Sequence, residues 1–145
     1  MLLAVRANKK PKIGGSVFGR QKLWRERIEG HNKLIWMYFN ENPIYPESYF
    51  RRRFWMIIAL FDRIAKAVMR YDPYFERRRN AAGELGHGTY QKVTAALRML
   101  AYCIPVDLVD DNLAMGESTA IKCVKRFVVA IVQLFGEKYL RAPTE

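Results

Sequence analysis

Residues 107–135 read DLVDDNLAMGESTAIKCVKRFVVAIVQLF, and the way this stretch folds decides the class of the whole chain. In its second half Ile121, Val124, Val128, Ile131 and Phe135 recur at alternating intervals of three and four, which predicts a long helix over 118–135 with that stripe turned to a core. Ahead of it, 107–113 predicts a short helix, with acids in its first turn at the positive end of the dipole and with Val109 and Leu113 facing inward. Ala114, Met115, Gly116 and Glu117 separate the two, room for a tight turn and nothing more. Working outward, Thr89 is the expected N-cap of a helix over 90–102 whose apolar stripe is Val93, Ala96, Leu97 and Leu100. Two helices joined by a short Gly-containing turn, with a third behind, make the pattern of a helix-turn-helix, predicted here over about 90–135.

The same period continues upstream. Leu23, Trp24, Ile28, Leu34, Ile35, Tyr38 and Phe39 predict helix over about 21–39, with Gly30 expected to split it in two. Asn42-Pro43-Ile44-Tyr45-Pro46 is a break, because proline lacks the N–H a helix needs and keeps the residue before it out of the α region. A short helix opens at Pro46 and carries Tyr49, Phe50 and Phe54 around Arg51-Arg52-Arg53. A stronger one covers about 56–70, with Ile57, Leu60, Phe61, Ile64, Ala65 and Val68 on one side. Asp72-Pro73 ends it, Arg77-Arg78-Arg79 follows, and Gly83, Gly86 and Gly88 mark a loop. No strand alternation extends beyond a few residues. The expected fold is all-α, a compact bundle of about five or six helices over 21–145 preceded by a basic flexible arm at 1–20.

The 145 residues are half hydrophobic and carry a formal net charge of +11. That is one domain's worth of chain, with enough apolar surface for a core and a charge that attracts polyanions, nucleic acid first. The charge is unevenly placed: 8 Lys/Arg against 2 acids in 1–30, 10 against 5 in 31–80, 2 against 4 in 81–114 and 5 against 3 in 115–145. Cys103 and Cys123 lack the close Cys/His neighbours of a zinc site and read as two reduced, buried small residues. The longest apolar stretch, 127–135, is broken by Gln133 and is far shorter than the ~20 residues of a membrane span, so no membrane is expected. Residues 1–5 are too few for a signal-peptide core. Phosphate-loop, dinucleotide, zinc-protease and nucleophile-elbow motifs are absent, and Asp107, Asp110 and Asp111 at one helix start cannot surround a metal alone. Neither catalysis nor a metal or cofactor is expected.

A DNA reader needs cations to hold phosphate and a helix to reach the groove. Lys122, Lys125 and Arg126 fall at i, i+3 and i+4 on the helix predicted over 118–135 and are expected to project together, with Ser118 and Thr119 at its start, where hydroxyls and unpaired N–H groups meet phosphate. Lys9, Lys10 and Lys12 read as an arm that contacts phosphate or serves as a nuclear-import signal, or as a solvated tail. The two arginine trios read either as side chains lying over aromatic neighbours or as further phosphate contacts. The competing reading is a protein-binding module in which Trp55, Met56 and Ile57 dock a partner or a second copy.

Four stretches carry a family likeness: Leu23-Trp24-Arg25-Glu26-Arg27, Asn42-Pro43-Ile44-Tyr45-Pro46-Glu47-Ser48-Tyr49-Phe50-Arg51-Arg52-Arg53-Phe54, Gln91-Lys92-Val93-Thr94-Ala95-Ala96-Leu97-Arg98-Met99-Leu100-Ala101-Tyr102, and Asp110-Asp111-Asn112-Leu113-Ala114-Met115-Gly116-Glu117-Ser118-Thr119-Ala120-Ile121. From about residue 14 onward the chain resembles the N-terminal region of plant Harbinger-superfamily transposases and their domesticated nuclease-like relatives. The resemblance implies a helical domain containing a helix-turn-helix, ahead of an RNase-H-like DDE nuclease domain whose metal-binding acids are not in this sequence. It implies DNA as ligand, a nuclear location and a separate Myb-like protein partner; a homodimer belongs to the docking reading of Trp55, Met56 and Ile57. Two departures stand out. Trp55-Met56-Ile57 precedes Ala59-Leu60-Phe61 where relatives usually have Arg-Met-Ser before Asp-Leu-Phe, and Cys103 follows Leu-Ala-Tyr where a Gly is usual, so the helix loses its preferred stop.

Overall fold

A computed structural model of the chain describes residues 25–103, 109 and 112–140. The arm at 1–20 with Lys9, Lys10 and Lys12, the apolar pair Leu23 and Trp24, and the acids Asp107, Asp110 and Asp111 lie outside the described residues. Among those described the fold is all-α. Helix α1 spans Arg27–Leu34 and runs on through a π turn, Ile35–Phe39; α2 is Glu47–Phe54, α3 Ile58–Tyr71, and a 3-10 turn covers Pro73–Phe75. Helix α4 is Thr89–Tyr102 and α5 Glu117–Tyr139, while Val109, Asn112 and Leu113 between them are also helical.

Helix α4 is the axis of the bundle, and α1, α2, α3, α5 and the 3-10 turn all pack on it. Its six consecutive residues 91–96 are buried, so its first half has no solvent face. Beside it lies an aromatic cluster in which Phe50 and Phe54 stack at 4.3 Å, Phe39 and Tyr90 meet edge to face at 4.8 Å, and Phe61 fills the centre. Helix α3 buries Phe61, Ala65 and Val68 as its period predicts, although Ile57 ahead of it faces solvent.

Several expectations change, among them Leu100 of the stripe expected on α4, which is exposed. Gly30 does not split α1: it lies inside the helix, where an added Cβ would stand 3.0 Å from the carbonyl oxygen of Leu113, so glycine is there for a close approach. Gly88, not Thr89, is the N-cap of α4; Thr89 donates its hydroxyl to the carbonyl of Phe75 at 2.9 Å. Another change is the face of α5. Its buried residues are Ala120, Cys123, Phe127 and Ala130, roughly a quarter turn from the stripe of Ile121, Val124, Val128, Ile131 and Phe135. Small side chains at Ala120, Cys123 and Ala130 let α5 approach α4, against which it packs most extensively, more closely than valines would permit.

Of the cysteines, Cys123 is buried and Cys103 is exposed, contrary to the expectation of two buried thiols. Cys103 caps α4 at φ 47°, ψ 34°, the left-handed conformation that glycine takes almost freely and that a side chain takes at ~1 kcal/mol or more. Replacing it with glycine removes that strain but loosens the unfolded chain. Cys103→Gly is therefore expected to stabilise the protein by about 0.5–1 kcal/mol, read as a rise of ~2–4 °C in the thermal midpoint.

Candidate nucleic-acid interface

The chain leaves helical geometry between Leu113 and Glu117: Ala114 sits at φ 51° and Gly116 at φ −67°, ψ 154°. Residues distant in sequence hold this turn. The buried amide of Gln91 donates to the carbonyls of Leu113 at 3.2 Å and Arg27 at 3.0 Å, and its oxygen accepts the N–H of Gly88 at 2.9 Å. His87 Nε2 lies 2.9 Å from the carbonyl of Ala114, which fixes that nitrogen as the donor. The guanidinium of Arg25 lies against Gly116, 3.2 Å from where a Cβ would be. Sequence spacing carried no signal for Arg25, because the two residues lie far apart in the chain.

No side chain caps α5. The N–H groups of Thr119 and Ala120 reach the carbonyl of Gly116 at 3.0 Å each, and those of Glu117 and Ser118 have no acceptor within the helix. Ser118 is exposed and Thr119 half-buried at this positive end. The three predicted cations follow on the outward side but divide. Lys122 and Arg126 lean on one ring, with Nζ of Lys122 5.2 Å and the guanidinium of Arg126 4.8 Å from the centroid of Tyr74. Arg126 also donates to both carboxylate oxygens of Asp72, at 2.7 and 2.8 Å, while keeping 44% of its side chain exposed. Lys125 is exposed and makes no ion pair among the described residues.

The ring of Tyr74 has a third cation. Lys92, buried on α4, places Nζ 4.9 Å from the same centroid and donates to the carbonyls of Tyr74 at 2.7 Å and Glu76 at 3.0 Å. Burial holds the Lys92 ammonium below the usual lysine range. Tyr74 is pushed well above the ordinary phenol value, first by burial and then by its 3.6 Å hydrogen bond with the Cys123 sulfur. Burial likewise raises the Cys123 thiol, which lacks the thiolate character a nucleophile needs. Five of the six arginines in the two trios are engaged locally, and Arg51 is exposed. Arg52 lies over Tyr49 and Arg53 over Tyr45, Arg53 also bonds the Tyr38 hydroxyl, Arg78 pairs with Glu76, and Arg77 and Arg79 bond the carbonyls of Gly86 and Gly83.

Past Arg126 the outward side of α5 carries exposed apolar residues, interrupted by Gln133, Glu137 and Lys138. Val128, Val129, Val132, Tyr139 and Leu140 are exposed, Val129 by 56%. Trp55 is 73% exposed and Ile57 is exposed beside it, but Met56 turns inward onto the core. Among the described residues no three His, Cys, Asp or Glu side chains group as metal ligands, and no helix is long and apolar enough to cross a membrane.

A family model described as a domain of unknown function, DUF8418, matches residues 30–69, which cover the end of α1, the π turn, α2 and most of α3. No curated protein and no solved structure matches the chain.

The histidines give the turn a pH dependence. Burial lowers His87 most, with Arg27, Lys92 and Arg25 adding repulsion against the opposing pull of the Ala114 carbonyl; burial and then Arg77 lower His31. Both are neutral in the fold where the unfolded chain, near its ordinary value of 6.5, already binds protons, so stability is complete above that pH and falls as pH drops below it. Thermal melts from pH 7.5 to 5.5 are expected to show a falling midpoint, with a flatter slope in His87→Gln, whose amide can still donate to Ala114.

Proposed function

We propose that this chain binds duplex DNA without catalysing a reaction on it, as a helix-turn-helix domain of the Harbinger transposase type that acts in the nucleus. The observation that carries the reading is the start of α5: a helix entered through a break at Ala114 and Gly116, uncapped, with Ser118, Lys122 and Lys125 on its solvent side and Arg25 over the turn. Backbone N–H groups and the helix dipole favour a phosphate there, and Lys125 and Lys122 would follow the backbone while the first turn meets base edges. Arg126 contributes less, since Asp72 already neutralises it. Lys9, Lys10 and Lys12 would extend the same footprint. The family assignment rests on the quoted motifs, and a Myb-like partner is part of it.

A salt series tests this. Removing one cation that neutralises a phosphate reduces the slope of log K against log salt by ~0.9, so Lys122→Ala with Lys125→Ala is expected to flatten it by about 2, and Arg126→Ala by less than about 1. An unchanged slope in the double variant, or no duplex binding at low salt, overturns the reading.

The exposed valines favour one further reading, in which the second half of α5 docks a partner or a second copy. If a second copy is the partner, light scattering gives twice the chain mass, and Val129→Ser with Val132→Ser returns it to one chain.

A further inference from the structure

We propose that a cleft between the end of α1, the π turn, the 44–45 loop, α2, α4 and Asn112 binds a nucleotide, stacking its base on Trp36 and holding its phosphate with Lys33, Arg53 and Arg98. No described residue of α5 lines it, so it stands whether or not α5 reads a duplex.

The cleft follows from local backbone geometry. The wider π turn leaves the carbonyls of Trp36 and Met37 without helical donors, and the N–H groups of Ile44 and Tyr45 take them at 3.4 and 3.1 Å. This pins the loop beside the turn. It sets Trp36, 58% exposed, at the same opening as Tyr45, whose other neighbours in the stack are Tyr38 at 5.3 Å and Tyr49 at 5.8 Å. The guanidinium of Arg53 lies 4.4 Å from the Tyr45 centroid and is held by the Tyr38 hydroxyl, and that of Arg98 lies 5.7 Å from Phe54. Both are thus positioned before any ligand arrives. The volume, about 530 Å³, lies within the range of small-molecule sites.

Two features select a nucleotide. Three cations of the described lining, Lys33, Arg53 and Arg98, suit an anionic occupant. The lining also offers an exposed indole face, and stacking on such a face with flanking cations is how single-stranded nucleic acid is held irrespective of sequence. An acidic peptide is disfavoured, since the N–H groups of Ile44 and Tyr45 are spent on the π turn and the loop presents no strand edge to pair with.

The test uses the full chain with Trp24→Phe and Trp55→Phe, so that Trp36 alone reports. Octathymidylate, thymidine monophosphate, tripolyphosphate and a glutamate octapeptide are titrated separately at low salt. Saturable quenching of Trp36 by octathymidylate is expected. If the monophosphate quenches as well, a free nucleotide suffices, and if it does not, the source is a single strand. With labelled octathymidylate, Trp36→Ala is expected to weaken binding about fivefold to a hundredfold, and Lys33→Gln, on an exposed residue, to weaken it by the share of a single phosphate neutralised. Trp36→Ala should leave duplex affinity unaltered, and Lys122→Ala with Lys125→Ala should leave octathymidylate affinity unaltered, which separates this site from α5. No quenching by either nucleotide form, equal quenching by the peptide or tripolyphosphate, or full affinity in Trp36→Ala overturns the proposal.

Discussion

Helix α4 is surrounded on all sides over 91–96, and two of those six residues are Gln91 and Lys92. An amide or ammonium in such a place costs several kcal/mol unless every polar atom finds a partner. Both side chains find main-chain oxygens from other parts of the molecule. Gln91 ties α4 to α1 and to the turn before α5, and Lys92 ties it to the 3-10 turn after α3. Those bonds decide where the rest goes. With Leu113 held at Gln91, α1 must pass close enough that residue 30 has no room for a side chain, and α5 must start beside Arg25. The register of the helices around α4 is thus set by two polar side chains inside a core that could otherwise slide.

The elements of this fold were legible in the sequence wherever a helix has one wet face. For α3 the period of Phe61, Ala65 and Val68 gave both the helix and its orientation, and the Pro43 and Pro46 break placed α2 within a residue. Helix α4 defeated the same method in one respect: a helix buried all round has no polar stripe, so the period that picked out Val93, Ala96, Leu97 and Leu100 gave no sign that Gln91 and Lys92 are buried, and Leu100 is exposed. Helix α5 defeated it in another. Its valines and isoleucines form the more obvious stripe, but orientation is chosen by the fit to the partner, and the face packed inward is Ala120, Cys123, Phe127 and Ala130, three of its four side chains small. Hydrophobicity ranked the faces; shape chose between them.

The cations of α5 illustrate why the candidate interface was only half visible. Spacing put Lys122, Lys125 and Arg126 on one side, and they do share it. What spacing could not supply was Tyr74, remote in the chain, whose ring collects Lys122 and Arg126 from above and Lys92 from within, or Asp72, which neutralises one of them. Three cations on one ring repel one another, and the arrangement is tolerable because Asp72 supplies a carboxylate and two carbonyls accept hydrogen bonds from Lys92.

This anchoring also bears on how α5 could meet a polyanion. An arginine already paired loses less side-chain entropy on binding, but its approach to a phosphate must compete with Asp72, so its net contribution is small; Lys125, exposed and in no ion pair among the described residues, retains its full Coulombic gain. The first turn of the helix, with its unpaired N–H groups, and Lys122 and Lys125 one to two turns on therefore dominate whatever electrostatic attraction this surface exerts. Beyond them the valines begin, and no charged ligand gains by covering those. The helix is in effect two surfaces in series, a polar entry and an apolar continuation, and a ligand suited to one leaves the other available.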